Sequence, residues 1–314
     1  MSIAFGPVPS RRLGRSLGIN NIPPKHCSYS CIYCQVGPTA AQEINPRAFY
    51  PVDMIVRAIQ QRLAQSLAQG EKVDYLTFVP DGEPTLDIHL GAAIDALRPL
   101  GVPIAVISNA SLLWREGVRA ALGRADWVSV KIDSVAEDTW RRINQPHADL
   151  RLADILAGIR AFAASYRGTL ASETLLVAGV NDSEEEVAAV AHFLAEAGIR
   201  LAYLAVPHRP PADAAASCPD ESVVARAWNI LAERVARVEL LTAYEGDDFP
   251  PLGDPRGQLL AVTAVHPMRE SAVRALLAKA GTDMSLVREL LAEGLLRQVS
   301  HGNEVFYIRR LRRA

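Results

Sequence analysis

The feature that most restricts the fold of this chain is a repeated change of hydrophobic period. Short apolar stretches at 15–23, 74–80, 103–109, 127–133, 171–179 and 201–207 read as strands, while 54–70, 88–100, 112–122, 148–166 and 183–198 carry the spacing of amphipathic helices. Strands joined through helices pair in parallel by right-handed crossovers, which predicts an α/β fold with six strands in an open sheet or a barrel. Gly70 marks the stop of the first helix, and Ser183, with Glu186 three residues on, opens the last as a capping box.

The same alternation gathers polar residues at one end of the strands. Gly82 and Glu83 of "DGEPTL" follow the second strand, Ser108 and Asn109 end the third, and Lys131 and Asp133 end the fourth. Asn181 and Asp182 follow the fifth, and His208 and Arg209 of "PHRPP" follow the sixth. Ligands of parallel α/β folds bind beyond the carboxyl ends of the strands. Each residue alone has an ordinary explanation: Gly82 and Pro84 in a turn, Asn109 as a helix cap, Asp133 satisfying loop amides. Their recurrence on one rim points to a site.

Three of the four cysteines, Cys27, Cys31 and Cys34, lie after the first strand on that rim, and Cys218 stands apart in a polar loop. This is no disulfide framework. No apolar run is long enough to span a bilayer and the N-terminus lacks a secretory apolar region, so a cytoplasmic protein without a membrane partner is expected. A net charge of -2 over 314 residues gives no global attraction to nucleic acid. In a reducing compartment a disulfide plus a spare thiol is disfavoured, and flanking Lys25, Ser28, Ser30 and Gln35 are unlike a core strand. A structural zinc ion takes four ligands, and His26 is poorly placed to join all three thiols. The remaining reading is iron and sulfide, with three thiolates on a [4Fe-4S] cluster and one iron open to a non-protein ligand.

The CxxxCxxC arrangement, with Tyr33 before its last cysteine and "GEP" after the second strand, resembles the cluster motif of the radical S-adenosylmethionine (SAM) superfamily. "GPVPSRRLGRSLGIN", "CSYSCIYCQ", "YLTFVPDGEPTL", "ISNASLL", "RINQPH", "LLVAGVND" and "HRPP" resemble a branch of iron-sulfur oxidoreductases related to the radical enzymes of tRNA wybutosine synthesis. The resemblance covers about 5–240 and has one departure, Pro80 and Asp81 where many relatives carry glycine and serine. It implies a partial (β/α)6 barrel of parallel strands, a 4Fe-4S cluster on Cys27, Cys31 and Cys34, and S-adenosyl-L-methionine chelated to the open iron. An external electron donor would reduce the cluster, and the resulting 5'-deoxyadenosyl radical would act on an unidentified substrate.

Residue roles follow from the same resemblance. Glu83 is expected to accept from the methionine amino group, Gly82 to let the backbone approach the cofactor, and Tyr33 to lie near the adenine. Asn109 and Asp133 are expected on the ribose hydroxyls or the methionine carboxylate, with Asn181 a further cofactor contact and Ser108 and Lys131 on substrate or cofactor. Glu173, a charge inside the fifth strand, is either a ligand contact or the ion-pair partner of Lys131. Arg11, Arg12, Arg15, Arg141, Arg142, His147, His208 and Arg209 either bind a phosphate- or carboxylate-bearing substrate or satisfy backbone carbonyls.

Past the sixth strand, 238–257 mixes an apolar stretch with acidic and proline-rich residues and reads as a boundary between domains at 1–245 and 256–314. From Arg256 onward ten basic residues stand against five acidic ones. Helices at 269–281 and 284–296, then a hairpin turning at Gly302 and Asn303, give the order of a winged helix-turn-helix. Such a domain either contacts nucleic acid, with Arg288, Arg297 and the terminal arginines on phosphates, or packs structurally. Two functions therefore stand side by side: a radical enzyme, or a nucleic-acid-binding redox or iron sensor.

Overall fold

The computed structural model describes residues 2–39, 41–241, 249, 254–302 and 304–310. Its main sheet follows chain order: β1 (Ala4–Ser10), β2 (Gly14–Ile19), β3 (Tyr75–Phe78), β4 (Ile104–Ser108), β5 (Trp127–Lys131), β6 (Thr169–Leu175), β7 (Leu201–Ala205) and β8 (Arg237–Leu241). β1 and β2 form an antiparallel hairpin, with Ala4 opposite Ile19, and every later pair is parallel. β1 and β8 are edges, so the sheet is an open, curled half-barrel with seven parallel strands where six were expected.

The two additional strands are the two edges, and both have sequences that hide them. Pro7 and Pro9 give β1 the look of a loop, but an edge strand tolerates proline because one side of its backbone needs no ladder bond. β8 carries Arg237 and Glu239 and leaves only Leu241 fully buried. Its pairing of Arg237 to Leu201 through Leu241 to Ala205 nevertheless makes it part of the sheet. The boundary expected at 238–257 thus begins inside a strand, and its positions 242–248 and 250–253 lie outside the described residues.

The connections carry α1 (Val52–Ala68), α2 (Leu90–Leu97), α3 (Glu116–Leu122), α4 (Glu137–Asn144), α5 (Leu152–Ser165), α6 (Glu184–Glu196) and α7 (Glu221–Ala232). Strand alternation divides the sheet: Leu76, Phe78, Val106, Val128 and Val130 turn outward into the helical core, while Ala105, Trp127, Ala171, Tyr203 and Leu241 form the concave cluster. Helix α1 contributes Ile55, Ile59 and Leu63 at four-residue spacing and is followed by left-handed Gly70, with φ 75°. Ser183 caps α6 by accepting from Glu186 N at 3.2 Å, but the Glu186 carboxylate accepts from Ser134 and Thr139 at 2.7 and 2.6 Å. The capping box is therefore half used locally, and its acidic member ties α6 to the chain after β5.

The C-terminal segment continues with α8 (Pro255–Val265), the short β9 (Met268–Arg269), α9 (Glu270–Lys279), α10 (Ser285–Ala292), β10 (Leu296–His301) and β11 (Glu304–Arg309). Its antiparallel sheet has the order β9-β11-β10 and covers a separate core that includes Leu259, Val262, Leu276, Leu290 and Tyr307. Both α8 and β9 are additions to the elements expected from the sequence. Ala261 and Ala264 of α8 pack on Phe5 of β1, which covers that edge of the half-barrel. No helix among the described residues is long and apolar enough to cross a membrane.

Candidate active site

The three cysteines lie on the long connection after β2, partly buried, and that connection is fastened to the rim at several points. Asn21 donates to Pro84 O at 3.0 Å and to Asp87 at 3.2 Å; Ile32 N donates to Ile143 O at 3.0 Å. Tyr29, between the first two cysteines, is buried and receives Trp140 Nε1 at 3.1 Å. The closest approach is to the "GEP" turn. Glu83 N donates to His26 O at 2.9 Å, and a Cβ on Gly82 would meet that same carbonyl oxygen at 2.0 Å, with Gly82 at φ 155°. Glycine is needed here so that the cysteine loop can lie directly on the turn after β3.

Glu83 is buried and holds the rim together. Its Oε1 accepts from Thr85 N at 3.1 Å, Thr85 Oγ1 at 2.6 Å and Ser108 Oγ at 2.8 Å; Oε2 accepts from Asn109 N at 2.7 Å. Burial pushes its carboxyl pKa up, against the lowering effect of these donors. Ser108 Oγ also accepts from Ala110 N at 3.0 Å, and its bond to Glu83 locks the end of β4 to the turn after β3. Asp81, two residues before Glu83, is 3% exposed. Its backbone carbonyl receives Lys25 N at 2.8 Å and its Oδ1 stands 3.5 Å from Lys25 Nζ, but Oδ2 has no hydrogen-bond partner among the described residues. Burial raises the Asp81 carboxyl to about 6, with Lys25 opposing.

Two asparagines reach the sulfurs. Asn109 Nδ2 donates to Ser28 Oγ at 2.9 Å and lies 3.5 Å from Cys27 Sγ, and its Oδ1 accepts from Ser111 N at 2.9 Å. Asn144, at the end of α4, places Nδ2 at 3.4 Å from Cys31 Sγ and 2.7 Å from Asp133 Oδ2. Asp133 Oδ2 also accepts from Tyr33 OH, while Oδ1 takes Leu175 N at 2.8 Å. Tyr33 is packed beneath the loop with Ile143, Val177 and Ala216. Asn181 is buried, donating to Asp133 O and Leu175 O at 2.8 and 2.9 Å and accepting from Val177 N at 2.8 Å.

Glu173 is an ion-pair residue: Lys131 Nζ donates to it at 2.7 Å and Arg12 approaches its other oxygen. Lys131 lies opposite Glu173 in the β5–β6 register, with Nζ 5.0 Å from the centre of the Tyr33 ring. Arg209 joins the cysteine loop to the C-terminal segment, donating to Gln35 Oε1 at 2.8 Å with its other terminal nitrogen 3.0 Å from His266 Nε2. His208 Nδ1 lies 3.1 Å from Val206 O. His26 pairs with Glu43 at 2.6 Å, and Cys218 is exposed, with its sulfur 3.3 Å from Pro219 O.

Asn144 and Asp81 are the site residues that sequence reasoning missed. Asn144 lies within "RINQPH", and Asp81 was visible only as a departure from a resembled motif. Burial disfavours the anionic form of all three thiols. Burial raises Cys27 well above the ordinary thiol range, with Cys31 and Glu83 adding to it; burial and then Asp133 push Cys31 to about 12. Burial also raises Cys34, although Lys25 pulls it back. Three crowded thiols that repel one another's negative charge suit a strongly cationic ligand, and amide N–H groups aimed at two sulfurs suit thiolates. No three His, Cys, Asp or Glu side chains among the described residues close around a single metal ion.

The sequence description of the radical SAM superfamily matches residues 21–194. The chain is 43% identical to the UPF0026 protein MJ1312 of Methanocaldococcus jannaschii, across 99% of this chain and 97% of that one. Among solved structures, TYW1 with a lysine-pyruvate adduct bound is similar with a TM-score of 0.55 at 16% identity, covering 70% of this chain and 74% of that one. A radical SAM methyltransferase from Sphaerobacter thermophilus is similar with a TM-score of 0.53 at 15% identity, covering 73% and 67%. At such identities these two structures speak to the fold of the half-barrel.

Proposed function

The chain belongs to the radical SAM superfamily, and we propose that Cys27, Cys31 and Cys34 carry a [4Fe-4S] cluster whose remaining iron takes S-adenosylmethionine. The observation that carries this reading is the fastening of the cysteine loop to the "GEP" turn through Gly82 and Glu83, with Asn109 and Asn144 at the sulfurs of Cys27 and Cys31. The chain is an enzyme of the radical SAM type. Each thiolate of a cubane binds a different iron, so its ligands need not converge on one point as those of a single ion do. When bound, the cluster and S-adenosylmethionine supply reductive cleavage to a 5'-deoxyadenosyl radical, using an electron from an external donor, for hydrogen abstraction from a substrate.

The protein's own part is placement. Burial beneath the loop keeps Tyr33, Asp133 and Asn144 as one hydrogen-bonded unit behind Cys31, and Asn181 fixes the backbone on both sides of it. The Lys131–Glu173–Arg12 ion group lies on the concave side of the sheet. Iron content of anaerobically reconstituted protein tests the ligand set. Alanine at Cys27, Cys31 or Cys34 should prevent stable cluster binding and alanine at Cys218 should leave it intact; a cluster that depends on Cys218 would overturn the assignment.

We assign 1–245 to the catalytic domain and 256–314 to a winged-helix-like domain, since α8, β9, α9, α10, β10 and β11 follow that order. Its role is structural packing. The exposed side of α10 carries Glu289 beside Arg288, Glu293 after the helix pairs with Arg256, and α8 is seated on β1. Mixed charge at this helix is unfavourable for phosphate contact. Tight, cluster-dependent binding of nucleic acid by the intact protein would reverse this assignment in favour of a sensor.

A further inference from the structure

We propose that Asp81 is the carboxylate that receives the α-amino group of S-adenosylmethionine, while Glu83 acts as a positioning residue. This rests on the radical SAM reading above and concerns a residue outside the resembled triplet. An ionised carboxylate offers about four acceptor positions. In Glu83, Oε1 accepts three donors of the chain itself and Oε2 accepts one. These bonds join the turn after β3 to the end of β4 and hold the Glu83 carboxylate in that place.

Asp81 has the complementary condition. It sits on the same turn, its side chain is 1% exposed, and Lys25 reaches only Oδ1, at 3.5 Å. Oδ2 is buried with no hydrogen-bond partner among the described residues. An ionised oxygen withdrawn from water without a donor is costly, and native folds retain such atoms chiefly where a ligand completes them. The turn is also in contact with the cysteine loop, through Lys25 N on Asp81 O and through the His26 carbonyl against Gly82. A group chelated beside those cysteines therefore comes within the neighbourhood of Asp81. A small nitrogen donor with two or three N–H groups suits Oδ2, and the amino end of the cofactor is such a group.

The test is equilibrium titration of reconstituted holoprotein with S-adenosylmethionine and, separately, with 5'-methylthioadenosine, which lacks the amino-acid portion. Asp81→Asn should retain full iron content, bind S-adenosylmethionine about ten- to a hundredfold more weakly, and bind methylthioadenosine as the wild type does. Its ligand-free melting temperature should be unchanged or raised, because a buried carboxylate oxygen without a donor has been removed while the remaining amide oxygen can still face Lys25 Nζ. Asp81→Ala carries the same expectations should the asparagine variant fold poorly. Undiminished affinity for S-adenosylmethionine in an iron-replete variant would overturn the proposal, as would equal weakening for both ligands together with a lower melting temperature. Failure of iron-replete wild-type protein to bind S-adenosylmethionine would sink both this proposal and the reading beneath it.

Discussion

Asn109 donates its backbone N–H to Glu83 Oε2 at 2.7 Å and holds its side-chain amide 3.5 Å from the sulfur of Cys27, so one residue couples the turn after β3 to the first cysteine. Hydrogen bonds to cluster sulfurs withdraw electron density and raise the reduction potential. Asn109→Ala should lower the potential of the reconstituted cluster by on the order of tens of millivolts, the one-electron equivalent of a bond contributing about 1 kcal/mol. An EPR-monitored redox titration reads the change, and an unaltered potential would show that the amide does not act on the sulfur.

Glu83→Gln is expected to be a stability variant as well as a binding variant. The substitution replaces one acceptor by an NH₂ group facing donors from Thr85, Ser108 or Asn109. Leaving buried donors unpaired costs about 1–3 kcal/mol, so chemical denaturation of the ligand-free protein should show a loss of that order. A variant as stable as the wild type would remove Glu83 from its place between β3 and β4.

Asp81 also gives the ligand-free protein a pH dependence of defined sign. Its folded carboxyl is raised from the ordinary 3.8 to about 6, so the folded state binds more protons than the unfolded state between those limits. Stability from this group is greatest below about 4 and falls as pH rises toward about 6, by at most about 3 kcal/mol. Asp87 and Glu83 are raised by burial too and contribute in the same direction. The difference between wild type and Asp81→Asn isolates the Asp81 part, and parallel stability curves from pH 4 to 7 would contradict it.

The parts legible in the sequence were those governed by local period and by short motifs. Six parallel strands were recognisable because both faces of each are covered, and their side chains therefore read as apolar runs. β1 and β8 were not, because an edge strand needs fewer ladder bonds and less burial, so prolines in one and charges in the other cost little. At the site, the sequence left Glu173, a charge inside a strand, as either a ligand contact or the partner of Lys131, and the two are ion-paired. The sequence did not disclose that Glu83 would be engaged by neighbouring hydroxyl and amide donors, because Ser108 and Asn109 reach it only across adjacent strands. Asn144 was invisible for the same reason, lying 113 positions from Cys31 along the chain.

The proposed role of the three cysteines and the rim around them is cleavage of S-adenosylmethionine. The most direct measurement is release of 5'-deoxyadenosine and methionine from anaerobically reconstituted, chemically reduced protein, with Cys31→Ala as the control. The account predicts release by iron-replete wild type and none by the variant. Iron-replete wild type that binds a [4Fe-4S] cluster and leaves S-adenosylmethionine intact, while gaining tight affinity for nucleic acid with the cluster present, would contradict it.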